Sequence, residues 1–339
     1  MTRRKLLLLA LAAPLLTATA ATAPPVARAR FDLSRPEIRD FIAQAAAHTG
    51  LASEEIEALL AQAEPQASIL EAMSRPAEAV LPWWQYRERF LGAPRIAAGL
   101  AFWDTHRVLL ARTERERGVP AEYLVAILGV ETSYGRMKGR YRVLDALATL
   151  SFDFPARAAY FRGELEEFLL LAKEEHLDPL TVRGSYAGAM GAPQFMPSSV
   201  RAYAVDSDGK GRPDLSDNWQ SVFASIANYF VAQGWRAGEP VMAAAAIDGG
   251  GDDPLSFRLE LADTLGSIRG RGYVVDTTMP DTTPAVLVPA EQAESMSWRV
   301  GFTNFYVITR YNRSSRYAMA VHDLAVALRV RRDAPESLA

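Results

Sequence analysis

Seven consecutive apolar residues, 124–130 (LVAILGV), run straight into Glu131-Thr132-Ser133-Tyr134-Gly135. Pro120 can open a helix over 121–130, and a helix apolar on every side is stable only inside a core. The rest of the chain must therefore wrap it, and 339 residues with 49% hydrophobic content are enough to do so. A carboxylate stands at the end of the run. A glutamate closing a buried helix beside an aromatic can sit in an apolar cleft wall, where desolvation favours the neutral acid and suits it to general acid catalysis near neutrality. On periodicity alone, a solvated glutamate at a helix end explains it as well.

Most of the chain from Ser34 to about Ala237 has helical spacing. Ser34 and Pro36 open a helix with Ile38, Phe41, Ile42 and Ala45 on one face, closed by Gly50. Ser53 starts another with Ile56, Leu59 and Leu60 inward. Pro155 precedes a long helix expected to turn Tyr160, Phe161, Leu165, Phe168 and Leu169 to the core. Val222, Phe223, Ile226, Tyr229 and Phe230 form a further stripe ended by Gly234, and Tyr317, Ala320, Val321, Leu324 and Leu328 form the last. Between them lie a flexible 249–254 stretch (GGGDDP) and strand-like runs at 272–278, 285–288 and 305–309. The expected architecture is mainly α (α+β), with a small β-containing insert.

Residues 1–5 are basic, 6–16 are apolar, and small residues with A-x-A at 27–29 follow, the three-part pattern of a secretory leader. Eleven apolar residues fall well short of the ~20 a membrane span needs. The sequence thus predicts an exported, soluble, periplasmic or otherwise extracytoplasmic protein without stable membrane insertion. Net charge is −3, which argues against a nucleic-acid partner. The absence of cysteine excludes disulfides, thiolate sites and an acylated N-terminal cysteine. Four scattered histidines form no H-E-x-x-H pair, and no phosphate-binding glycine loop is present.

The segments GVETSYG (129–135), RVLDALATLSFDFPARAAYF (142–161), GSYAGAMGAPQFMPSS (184–199), SIANYF (225–230) and ITRYNRSSRYAMAV (308–321) resemble, in order and separation, the soluble lytic murein transglycosylase B family. PWWQYRERF and RIAAGLAFW upstream extend the resemblance to nearly all of the chain beyond the leader. It implies a lysozyme-like helical core with an additional helical domain and a small β-containing domain. The divisions would be a 1–29 signal peptide, a 30–115 N-terminal helical domain, a 116–240 catalytic core, a 241–297 small β-containing domain, a 298–332 return to the core and a 333–339 tail. It also implies cleavage of the β-1,4 bond between N-acetylmuramic acid and N-acetylglucosamine in peptidoglycan, with 1,6-anhydromuramoyl ends. Glu131 then holds the single acid/base role. Ser185 and Gln194 match groups facing the muramic acid subsite, and Tyr311 and Asn312 match a pair beside the carboxylate. Tyr86, Tyr160 and Tyr229 match tyrosines lining the cleft. Core packing explains Tyr160 and Tyr229 equally, and loop-tying explains Gln194 and Asn312. A hydrolytic muramidase on the same core, or a non-catalytic peptidoglycan-binding protein, remains an alternative; protein partners are not indicated.

Three positions depart from that pattern. Where relatives carry two arginines to hold the peptide stem, this chain has Ala156-Arg157, leaving Arg157 for a bidentate carboxylate contact. Pro193 stands before the glutamine and stiffens that turn. The 206–217 loop imitates an EF-hand, with Asp206, Asp208, Asp214 and Asp217 at positions one, three, nine and twelve and Gly211 at six. Relatives bind calcium here, but Lys210 occupies position five, normally an acid. The expectation is a solvated turn or very weak calcium binding, and no required cofactor.

Overall fold

The computed structural model describes residues 29–74, 81–247 and 259–334. The leader, apart from Ala29, lies outside the described residues, as do the 249–254 stretch and 335–339 of the tail. The first helices are α1 (Pro36–Thr49), α2 (Ser53–Leu60) and α3 (Ala67–Met73), followed by α4 (Trp83–Leu91), α5 (Ala93–Thr105), α6 (Arg107–Arg117) and α7 (Ala121–Thr132). Gly50 ends α1 in the left-handed conformation, as its position suggested. After the short strand β1 (Tyr141–Arg142) come α8 (Val143–Asp153) and α9 (Ala158–Glu174), then β2 (Arg183–Gly184), α10 (Pro197–Tyr203) and α11 (Trp219–Ala232).

The remainder holds β3 (Met242–Ile247), β4 (Asp263–Thr264), α12 (Leu265–Gly270), β5 (Tyr273–Val275), β6 (Pro284–Glu291) and β7 (Met296–Gly301), then α13 (Thr303–Tyr311) and α14 (Ser315–Asp333). The five strands β3–β7 form one antiparallel sheet ordered β4-β6-β7-β3-β5, and β1 pairs with β2. Strand β7 runs across the boundary expected at 297.

Two expectations are corrected. Residues 305–309 are helical, within α13: Phe305, Ile308 and Thr309, together with Val307, bury one side of a helix, and that packing overrides the β-branched preference. Tyr160 does not face the core, being 43% exposed while Phe161, Leu165, Phe168 and Leu169 of the same helix are buried.

Packing also divides the N-terminal 30–115 stretch. Ile38, Phe41, Ile56, Leu60 and Ile69 from α1–α3 share a core with Leu144, Leu147, Phe161 and Phe168 from α8 and α9. Trp83, Tyr86, Ile96, Trp103 and Leu110 from α4–α6 instead join the larger core, whose centre is α7 packed against α14. Six consecutive α7 side chains, Tyr123 to Leu128, and Gly129 are buried there.

At the edge of that core lies a half-buried titratable group. Tyr123 Oη lies 2.9 Å from His322 Nδ1, and burial pushes the His322 imidazole from the ordinary 6.5 down to about 4, Asp323 opposing and Arg299 assisting. The folded state thus binds the proton more weakly than the unfolded chain. Stability is complete above the unfolded value of 6.5 and declines as pH falls towards 4, by up to about 3 kcal/mol from this residue. In urea titrations at neutral pH and near the folded pKa, His322→Gln should lose up to about 3 kcal/mol less than the wild type on acidification; equal losses would refute a desolvated neutral His322.

Candidate active site

Glu131 is the penultimate residue of α7 and is half-buried. The last carbonyls of a helix have no donor within it, and here water is largely excluded. Arg95 of α5 supplies one, donating through Nη1 to Gly129 O and to Ser133 Oγ at 3.0 Å. The chain then turns sharply: Ser133 and Tyr134 take φ of 50° and 63°, and Tyr134 N–H returns to Leu128 O at 2.8 Å. Left-handed backbone at such residues costs on the order of 1–3 kcal/mol each. Packing offsets it. Tyr134 Oη donates to Arg95 O at 2.9 Å, and its side chain fills the space left by Gly99 and Gly129, where an added Cβ would come within 2.5 Å of its hydroxyl and 2.9 Å of its ring.

Thr132, fully buried, ties this turn to the 184–199 segment. Its Oγ1 donates to Ala192 O at 3.0 Å and accepts Gly135 N–H at 2.9 Å. The side chain of Gln194 donates to Gly191 O at 2.8 Å and to Lys138 O at 3.2 Å, and its backbone is left-handed, with φ 55°. The amide oxygen is left as an acceptor. Ser185 Oγ accepts the N–H groups of Ala187 and Ala189 at 3.2 and 3.0 Å, which occupies its lone pairs and leaves the hydroxyl proton to be donated.

From the opposite side, α13 and α14 bring two tyrosines. Tyr317 Oη donates to Glu131 Oε1 at 2.5 Å. Tyr311 Oη donates to Pro193 O at 2.6 Å, and its ring lies parallel to that of Tyr317 at 6.5 Å. Burial first, then the charge of Glu131, pushes both phenols well above 10, so they remain donors. Tyr229 lies edge-on to Tyr311 at 5.0 Å, donates to Arg310 O at 2.5 Å, and is pushed by burial up to about 12. Asn312 is half-buried directly after α13, its carbonyl accepting from Ser314, which caps α14.

The structure thus gathers Glu131, Gln194, Tyr311 and Tyr229 around the end of α7, with Ser185 on the adjoining loop. Tyr86 is buried at 2% exposure against Trp83 and Phe90, close enough to Tyr317 to help raise that phenol. Arg157 is exposed, its guanidinium lying over Tyr160 at 4.6 Å and Phe161 at 5.1 Å. The three residues that hold the carboxylate and its turn, Tyr317, Arg95 and Thr132, are not among the site residues picked out from the sequence, where Tyr317 is read only as core. For Tyr317 a signal existed: a tyrosine on a buried stripe needs a partner for its hydroxyl.

Residues 34–326 match the family described as Transglycosylase SLT domain. The chain is 38% identical over 309 residues to the membrane-bound lytic murein transglycosylase B of Escherichia coli strain K12, an alignment covering 88% of this chain and 84% of that protein. The catenated lytic transglycosylase structure from Pseudomonas aeruginosa is similar at TM-score 0.83 and 45% identity, over 88% of this chain and 98% of that one. An Escherichia coli lytic transglycosylase solved in complex with calcium is similar at TM-score 0.79 and 37% identity, over 90% and 96%.

Thr132→Val keeps the shape of the side chain and leaves Ala192 O and the Gly135 N–H without their partner. Unfolding by urea should show a loss of about 1–3 kcal/mol. An unchanged midpoint would mean that the tie between the two loops adds nothing.

Proposed function

The chain belongs to the transglycosylase SLT domain family and is a lytic murein transglycosylase, and from that premise we propose that Glu131 is its single acid/base residue. The observation that carries this reading is the 2.5 Å bond from Tyr317 Oη to Glu131 Oε1 at the enclosed end of α7. It holds one carboxylate oxygen in place beside the loops that carry Ser185 and Gln194.

In the proposed reaction the neutral Glu131 acid gives its proton to the glycosidic oxygen as the C1–O4 bond between N-acetylmuramic acid and N-acetylglucosamine breaks. The resulting carboxylate takes the proton of the muramoyl C6 hydroxyl, whose oxygen closes on C1. Glu131 ends protonated, no water is consumed, and the product carries a 1,6-anhydro ring. The substrate's N-acetyl group stabilises the developing positive charge, so one protein carboxylate suffices where other glycosidases use two.

Ser185 offers a hydroxyl proton and Gln194 an amide oxygen to the muramoyl unit, beside Tyr311 and Asn312. Tyr160, 43% exposed, is the tyrosine open to the strand; Tyr86, expected at the cleft, is instead buried in the core, and Tyr229 is buried behind Tyr311. Arg157, stacked on Tyr160, remains available to a peptide-stem carboxylate. The partner is the peptidoglycan glycan strand.

Export through the 1–29 leader is part of the same proposal, since the substrate lies outside the cytoplasm. No described helix is long and apolar enough to cross a membrane. Mass spectrometry of the protein recovered from its native compartment should find a chain beginning near Arg30; the intact leader on the main species would count against export by this route.

Glu131→Gln should keep the fold and lower fragment release from purified sacculi by at least about 100-fold. Tyr317→Phe, which only frees the carboxylate, should lower kcat/KM by about 10-fold to 100-fold. Muropeptide mass spectrometry reads both rates, and should show wild-type products lighter by one water than hydrolytic ones. Near wild-type release by Glu131→Gln would remove the acid/base assignment, while reducing-end products would replace the cyclisation step with hydrolysis.

A further inference from the structure

The 206–217 loop keeps one conformational mark of a cation-binding turn. Gly211, at its sixth position, has φ 88° and leads a sharp reversal. Its acids are nevertheless engaged by groups of the protein itself. Asp206 accepts the backbone N–H groups of Lys210 at 3.3 Å and Gly211 at 2.8 Å. Asp208 Oδ2 lies 2.8 Å from Lys210 Nζ and accepts Asn218 Nδ2 at 2.7 Å. Asp214 Oδ1 takes the N–H groups of Ser216 and Asp217 at 2.8 and 3.1 Å. At the far end, Lys138 Nζ reaches in from the segment that follows Glu131, donating to Asp217 Oδ1 at 2.9 Å and Ser216 O at 2.8 Å.

A calcium site needs six to eight oxygens converging on one point. Among the described residues no group of three or more His, Cys, Asp or Glu side chains is gathered to hold a metal ion. An ammonium projects from the fifth position, where an oxygen ligand belongs. The donor set does not fit calcium. We propose that Lys210, with Lys138 closing the opposite end, takes the place of the divalent cation in this chain, so that the loop carries its positive charge covalently. The hydrogen bond from Lys210 is the largest of the causes that hold the Asp208 carboxyl below its ordinary range, and Asp208 in turn raises Lys210.

The loop also braces the site. Leu215 O accepts Ala192 N–H at 2.7 Å, and Lys138, anchored on Asp217, offers its carbonyl to Gln194 Nε2 at 3.2 Å. An internal cation makes this brace independent of the surrounding calcium concentration. The inference does not depend on the role given to Glu131.

Because the Lys210–Asp208 pair is exposed, deleting it alone would change little, and exchanging it for a ligand is the sharper experiment. Wild-type protein scanned in chelator and then in millimolar calcium should shift its Tm by less than about 1 °C, with no binding isotherm in calorimetry. Lys210→Asp restores a ligand at position five; its Tm in chelator should be lower, and millimolar calcium should raise it by about 2 °C or more, with measurable heat of binding. Lys210→Asn, which supplies a neutral oxygen, gives the same reading should the aspartate variant not fold. Micromolar calcium binding by the wild type would overturn the proposal, and so would a ligand-bearing variant that ignores calcium.

Discussion

A helix that is apolar on every side can be buried along its length, but its final carbonyls still require hydrogen-bond donors. In α7 that requirement falls within two residues of Glu131, and much of the local structure answers it. Arg95 crosses from α5 to the Gly129 carbonyl and the Ser133 hydroxyl. Tyr134 doubles back to Leu128 through two left-handed residues, a conformation held by packing against two glycines. Thr132 fastens the next loop to the same point. The device that ends a buried helix and the device that aims a carboxylate are therefore one.

The same enclosure governs the electrostatics. Tyr311 and Tyr317 bring their phenols into a site that already holds a carboxylate, and both burial and that charge disfavour phenolate. Neutral phenols can donate to Glu131 or to backbone carbonyls without adding charge to the cleft. Each of the three central hydroxyls has a defined acceptor: Glu131, Pro193 O and Arg310 O. The rings are thereby fixed in place.

The carboxylate was legible in the sequence because it interrupts an apolar run, and the helical stripes were legible because burial imposes their period. The residues that position Glu131 were not. Arg95 and Thr132 act on backbone carbonyls, which any sequence supplies everywhere, so nothing in their surroundings marks them. Tyr317 was hidden by its own helix, where it occupies a core position on α14 while its hydroxyl extends to α7. Residues 305–309 misled through composition, β-branched and aromatic, though their buried positions follow a helix. The sharing of α1–α3 with α8 and α9 was beyond local reasoning, since contacts between distant segments leave no periodic trace.

The sheet between α11 and α13 has one further consequence. Phe302 N–H donates to Val241 O at 3.0 Å, and Met242 pairs with Gly301, so the chain leaves and returns at a single point. Closure entropy grows only with the logarithm of loop length. Lengthening or shortening the excursion beyond that stem therefore leaves Tyr229 and Tyr311, one on each side of it, still edge to face. The restraints are β6, whose Val286, Val288 and Ala290 belong to the larger core, and Arg299 of β7, paired with Asp323 of α14 at 2.6 and 3.0 Å. Outward of those ties and the stem, a change in the length of the excursion leaves the aim of the carboxylate unaltered.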